Sequence, residues 1–171
     1  TAVNDEPAGA DNTVTTLEDT DKVFTTAEFG FSDPVEGDSL AAVVITTLPS
    51  NGTLYNDANG NGVVDAGEAI VANGVVTAAD ITAGRLKFKP VSDANGTGYD
   101  SFTFQVRDDG GTTNGGVNTD QSANTMTIDV TAVNDEPAGA DNTVTTLEDT
   151  DKVFTTAEFG FSDPVEGDSL A

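Results

Sequence analysis

The sequence predicts an all-β protein built as a two-sheet antiparallel sandwich, and three observations carry that expectation. Short segments of alternating apolar and polar residues recur along the chain, and Gly, Asn, Asp and Pro separate them. No stretch of 11 residues or more sustains a helical period. Seven or eight strands can be counted with frequent turns between them, and a layered pair of sheets is the usual way to bury so many half-apolar strands.

The elements follow in order. Val14–Leu17 is a first strand, broken by Glu18-Asp19, and Val23-Phe24 opens a second that runs into a short capped turn at Thr26-Ala27-Glu28-Phe29. Ala42–Leu48 forms the next strand, stopped by Pro49 and the Asn51-Gly52 turn, and Thr53–Tyr55 leads into an acidic loop. Ile70-Val71 and Val75-Val76 flank Asn73-Gly74, the strongest local hairpin signal in the chain. Thr77 is placed to cap a single helical turn over Ala78–Ile81. Arg85–Lys89 alternates until Pro90 stops it, with Arg85, Lys87 and Lys89 on one face as a solvated cationic stripe. Ser101–Arg107 alternates more cleanly, with Phe102, Phe104 and Val106 on one face, and Met126, Ile128 and Val130 supply a last strand.

The chain also repeats itself. Residues 1–41 recur letter for letter at 131–171, so the period is 131 − 1 = 130 residues. That exceeds the 20–50 residues of solenoid repeats and falls in the size range of whole domains. Residues 1–130 (with a working boundary near 5–134) are expected to be one complete domain in a longer tandem array. Residues 131–171 are then the truncated start of an identical one. A fragment of a sandwich lacks partner strands, so 131–171 is expected to fray or to pair with another molecule.

Composition limits the function. Thirty acidic residues stand against six basic ones, a formal net charge of −24, which opposes binding to nucleic acid or anionic lipid. Without Cys or His there is no thiolate or imidazole chemistry, no zinc site of the usual kind and no Ser-His-Asp triad. No apolar run approaches the roughly 20 residues of a membrane span, so no membrane insertion is expected.

The acids are spaced in a pattern. Asp57-Ala58-Asn59-Gly60-Asn61-Gly62-Val63-Val64-Asp65-Ala66-Gly67-Glu68 matches the calcium-loop template D-x-[DN]-x-[DN]-G-x₅-E at every defined position. Calcium takes six to eight oxygens, which assigns Asp57, Asn59, Asn61, the Val63 carbonyl, Asp65 (directly or through water) and Glu68 as ligands. Strand-like flanks make this an EF-hand-like loop without its helices. Two Asn in place of Asp lower the ligand charge, pointing to extracellular-grade affinity on the order of 10⁻⁴–10⁻³ M. The competing reading is a solvated Asx-rich turn.

A dispersed set of acids falls at predicted turns. In a sandwich with alternating strand directions, Asp33, Asp38 and Asp108-Asp109 would face the incoming linker with Asp5. Glu18-Asp19 and Asp100 would face the outgoing linker with Asp135. Like charges about 4 Å apart repel by about 4 kcal/mol at an effective dielectric of 20, so a shared cation would lock such a joint. The competing reading is ordinary solvated turn acids.

The junction Asn4-Asp5-Glu6-Pro7, the Leu17–Thr20 turn, the Phe31–Asp38 loop and Asn95-Gly96 through Asp100–Phe104 together resemble the tandem-95 repeats of large bacterial surface proteins, which are cadherin-like and immunoglobulin-like. The resemblance spans nearly the whole repeat. It implies an immunoglobulin-like sandwich in a calcium-rigidified extender, as in RTX-type adhesins of biofilms, secreted to the bacterial cell surface. It also implies that Glu18, Asp100, Asp135, Asp163 and Asp168 ligate calcium at the joint with the next repeat. The segment from Asn56 to about Thr77 is longer than such repeats carry there, so the calcium loop rests on its own spacing. The partners implied are neighbouring identical repeats. Alternatives are a repeat that itself binds a carbohydrate or protein, and a glycosidase using paired carboxylates. Repetition of the acids at turns favours structural ligands and a non-enzymatic role.

Overall fold

The computed structural model describes residues 3–163, 165 and 167–170. Thr1, Ala2, Pro164, Glu166 and Ala171, at the ends of the two predicted segments or within the second, lie outside the described residues. The chain divides into two compact units, Thr1–Thr131 and Ala132–Ala171.

The first unit has eight strands: β1 (Asn12–Leu17), β2 (Lys22–Val23), β3 (Leu40–Ile45), β4 (Gly52–Asn56), β5 (Gly74–Thr77), β6 (Leu86–Pro90), β7 (Gly96–Asp108) and β8 (Asn124–Thr131). They form two sheets, one ordered β1-β8-β7-β3-β5 and the other β2-β6-β4. Alternation of side chains on β7 sends Phe102, Phe104 and Val106 inward, where each is at most 1% exposed. Leu54, Leu86 and Phe88 of the smaller sheet join the same apolar cluster, so the two sheets share one core. Phe24 meets Phe102 and Phe29 meets Phe104 edge to face, with ring centroids 5.6 Å and 5.0 Å apart. Full burial of each such ring contributes roughly 1.5–3 kcal/mol.

Two short helical pieces punctuate the strands. Thr77 caps helix α1 (Ala78–Thr82) as expected, its Oγ accepting from the Asp80 N–H at 3.1 Å. The turn at Thr26–Phe29 is a 3-10 helix, closed by a capping box between Thr25 and Glu28.

Two expectations are corrected. The larger sheet is mixed rather than purely antiparallel, because β1 runs parallel to β8, with Asn12 opposite Met126 and Leu17 opposite Thr131. The Asn73-Gly74 hairpin does not form. Asn73 does adopt the left-handed conformation (φ 62°), but β5 pairs antiparallel with β3 and Asn73 N–H donates to Ile45 O at 2.7 Å. The apolar edge of β3 therefore claims Val75-Val76 before Ile70-Val71 can, and the short strand 70–71 is absent.

In the second unit the local turns of the first recur. The 3-10 helix Thr156–Phe159 carries the same capping box, and Ala138 bridges Ser162 as Ala8 bridges Ser32. Among the described residues of this unit no named strand forms.

Candidate functional site

The predicted calcium loop is closed at its base by strand-like pairing. Asn56 N–H donates to Glu68 O at 2.9 Å and Asp57 N–H to Arg85 O at 2.8 Å. Asp57 is 1% exposed. Its two oxygens accept from the backbone of Asn61 and Gly62, each at 3.0 Å, which folds the loop around its first position. Gly62, in sixth place, has φ 72°, the left-handed conformation that the sharp turn requires. Asn59 Oδ1 accepts from Asn61 N–H and Asn61 Oδ1 from Val63 N–H, while both Asn amides donate to Asp65 Oδ2 at 2.8 and 2.9 Å. Glu68 accepts from the Ala58 and Asp65 amides at 3.0 Å each.

One cation from the chain itself enters this loop. Lys87 Nζ lies 2.6 Å from Asp57 Oδ2 and, before any other influence, holds that carboxyl below the usual carboxylate range. The cationic stripe predicted on β6 is thus ion-paired rather than merely solvated: Arg85 reaches Asp80 at 2.7 Å and Lys89 reaches Asp21 at 3.6 Å.

A second constellation assembles from three separate segments. Carboxylate oxygens of Asp33, Asp38 and Asp108 all lie within 4.8 Å of one another. The long β7 delivers Asp108 at its end, 2% exposed, and the Phe31–Asp38 loop delivers the other two. Asn4 completes the group: its Nδ2 donates to both Asp108 oxygens (3.2 and 3.1 Å) and to Val117 O at 2.8 Å. Two oxygens here are buried with no hydrogen-bond partner, Asn4 Oδ1 and Asp33 Oδ2. Asp38 Oδ2 and Asn4 Oδ1 also converge above Gly110, where an added Cβ would stand 1.9 Å and 2.0 Å from them. Loss of hydration, then the fields of Asp33, Asp109 and Asp108, raise the Asp38 carboxyl above its ordinary value. Converging carboxylates, orphaned oxygens and a cradle without a side chain together fit a hard, oxygen-seeking cation.

The remaining predicted ligands are placed as follows. Asp5 is exposed and its N–H donates to Glu36 at 3.3 Å; Asn4, not Asp5, enters the cluster. Asp109 instead accepts from Ser39 N–H at 2.8 Å. Glu18 is 2% exposed and takes the Asn95 amide at 2.9 Å. Asp100, 7% exposed, accepts from the Ser50, Asn51 and Ser101 backbone amides and pins the turn after β3. In the second unit Asp135 is half-buried, Asp168 is exposed, and Asp163 Oδ1 is buried without a hydrogen-bond partner.

Sequence reasoning missed Asn4, Gly110 and Lys87 as parts of these sites. Asn4 sits in the junction motif, where an amide oxygen beside clustered acids was the available signal. It also missed Asp120, 6% exposed, which accepts from Gly9, Ser122 and Asn124 and ties the N-terminal segment to the turn before β8.

Comparisons with models of known protein families, with curated proteins and with solved structures found no match. No helix among the described residues is long and apolar enough to cross a membrane.

Proposed function

We propose that this chain is a non-enzymatic, calcium-rigidified extender module from the tandem-repeat region of a secreted bacterial surface adhesin, of the tandem-95, cadherin-like kind. The reading is carried by the meeting of Asp33, Asp38 and Asp108 around the orphaned oxygens of Asn4 and Asp33. Three segments far apart in sequence supply acids or amide oxygen to one end of the unit, next to the segment that a preceding repeat would join.

Calcium there would be held by Asp33, Asp38, Asp108 and Asn4, and would neutralise carboxylates that otherwise repel. Glu18, Asp100, Asp135, Asp163 and Asp168 are the counterpart set proposed at the joint with the following repeat. The loop from Asp57 to Glu68 is proposed as a third, weaker site, supported by its folded, left-handed turns and opposed by the Lys87 ammonium that already pairs with Asp57. A letter-for-letter repeat with a net charge of −24 favours a stacked spacer, whose neighbours are copies of itself, over a ligand-binding tip.

Thermal unfolding of the chain in calcium, in magnesium and in EDTA tests this. A rise in midpoint specific to calcium, larger in a two-repeat chain than in one repeat, is the expected result. Identical midpoints in all three conditions would remove the metal from the reading.

A further inference from the structure

Asn is followed directly by Gly at Asn51, Asn59, Asn61, Asn73, Asn95 and Asn114. Such a pair can modify itself, because Gly has no side chain to keep its backbone nitrogen from the neighbouring Asn amide carbon. At the first five positions hydrogen bonds restrain one of the reacting groups. The side-chain amides of Asn51 and Asn95 donate to Tyr99 O at 3.2 Å and to Glu18 Oε2 at 2.9 Å, and those of Asn59 and Asn61 donate to Asp65 Oδ2. At Asn73 the attacking group is engaged, since Gly74 N–H donates to Val71 O at 2.8 Å.

Asn114 is different. It is exposed, and among the described residues its side-chain amide has no hydrogen-bond partner. Its backbone is left-handed (φ 59°, ψ 25°), a conformation that costs a residue with a side chain free energy. Gly115 follows at φ 88°, with open space where a Cβ would stand. We propose that Asn114-Gly115 is a self-deamidating site whose product undoes the clasp that this loop holds on Asn4. The Gly115 backbone nitrogen attacks Asn114 Cγ, the Cγ–Nδ2 bond breaks, and Nδ2 leaves as ammonia with the Gly115 amide proton. Water then opens the cyclic imide at one of its two C–N bonds. Opening at Cγ gives Asp; opening at the backbone carbonyl gives an isoaspartyl link, with the main chain rerouted through Cβ and Cγ.

The place of this loop gives the change a consequence. Val117 N–H donates to Asn4 O at 2.9 Å, and Asn4 Nδ2 returns a bond to Val117 O at 2.8 Å. Between them Gly116 lies so close that an added Cβ would stand 3.0 Å from Asn4 Cβ and 3.2 Å from its nitrogen. An isoaspartyl link adds one main-chain atom two residues ahead of this contact, so the paired bonds to Asn4 lose their register. The N-terminal segment is then freed at the residue that also holds Asp108. Water is the only co-reactant, and this inference does not depend on any metal.

Ageing of the full chain in metal-free, mildly alkaline buffer tests it, read by mass-spectrometric peptide mapping, by an isoaspartate-specific methyltransferase and by hydrogen exchange of the Val117 amide. Asn114 should gain one mass unit ahead of the other Asn-Gly pairs and accept the methyl label, and Val117 should lose protection in the same fraction of molecules. Asn114→Gln, whose longer side chain closes the ring far more slowly, should keep both its mass and its Val117 protection. Freshly prepared Asn114→Asp carries the new charge without the extra main-chain atom and should keep Val117 protected. The proposal is overturned if Asn114 stays intact, if another Asn-Gly pair reacts first, if isoaspartate forms while Val117 stays protected, or if Asn114→Asp alone exposes that amide.

Discussion

Lys87 Nζ stands 2.6 Å from Asp57 Oδ2, so the first residue of the predicted calcium loop already holds a cation supplied by the neighbouring strand. On the proposed reading calcium would compete with the Lys87 ammonium for this carboxylate, because Lys87 occupies one of its oxygens.

Lys87→Met should accordingly tighten calcium binding at the loop severalfold while lowering stability in EDTA, since it leaves the buried Asp57 charge unpaired. Isothermal titration calorimetry of the variant against the parent measures the first effect. Equal affinities would show that the loop does not bind through Asp57.

Gly110→Ala should abolish the calcium response of the Asp33–Asp38–Asp108 cluster with little change in EDTA. The new Cβ would displace the ends of two side chains, Asp38 Oδ2 and Asn4 Oδ1, rather than backbone. Calcium-dependent melting reads this, and a full response in the variant would place the ion elsewhere.

Asp38→Asn should act with opposite signs in the two conditions. The folded-state pKa of Asp38 is raised, so its ionisation opposes folding at neutral pH, and that penalty is relieved as pH falls through the raised value. Removing the charge should raise the midpoint in EDTA and shrink the gain from calcium. A variant less stable in EDTA would show that the repulsion is not felt.

Asp80 should contribute in the other direction. The Thr77 hydroxyl and then the Arg85 guanidinium lower its pKa, so its contribution is present above the unfolded value of 3.8 and is lost as pH falls through the lower folded value. Denaturant midpoints measured across that window should fall less for Asp80→Asn than for the parent. Thr77→Ala, which removes the helix cap, should cost about 1 kcal/mol at neutral pH.

Most of the strands were legible because alternation reports burial directly: Phe102, Phe104 and Val106 read as one inner face, and they are buried. Alternation has no direction, which is why the parallel course of β1 beside β8 was not. The Asn73-Gly74 turn was visible, but the edge it served was not, since any apolar strand can satisfy Val75-Val76. The acids at the Asn4 end of the first unit could be grouped from turn positions, whereas Asn4 Oδ1 and the space over Gly110 exist only once three segments meet. Lys87 was read as solvated because a pairing across β4 and β6 brings it to Asp57, and no local spacing encodes that contact.

The parallel pairing of β1 with β8 has a mechanical consequence. The chain enters β1 at one end of the unit and leaves β8 at the other, so tension on the two ends pulls neighbouring parallel strands in opposite directions along their length. The rungs from Asn12–Met126 to Leu17–Thr131 are then loaded together, in shear, instead of opening one at a time. A unit held this way resists extension until many hydrogen bonds fail at once, and a string of such units would transmit pull without lengthening.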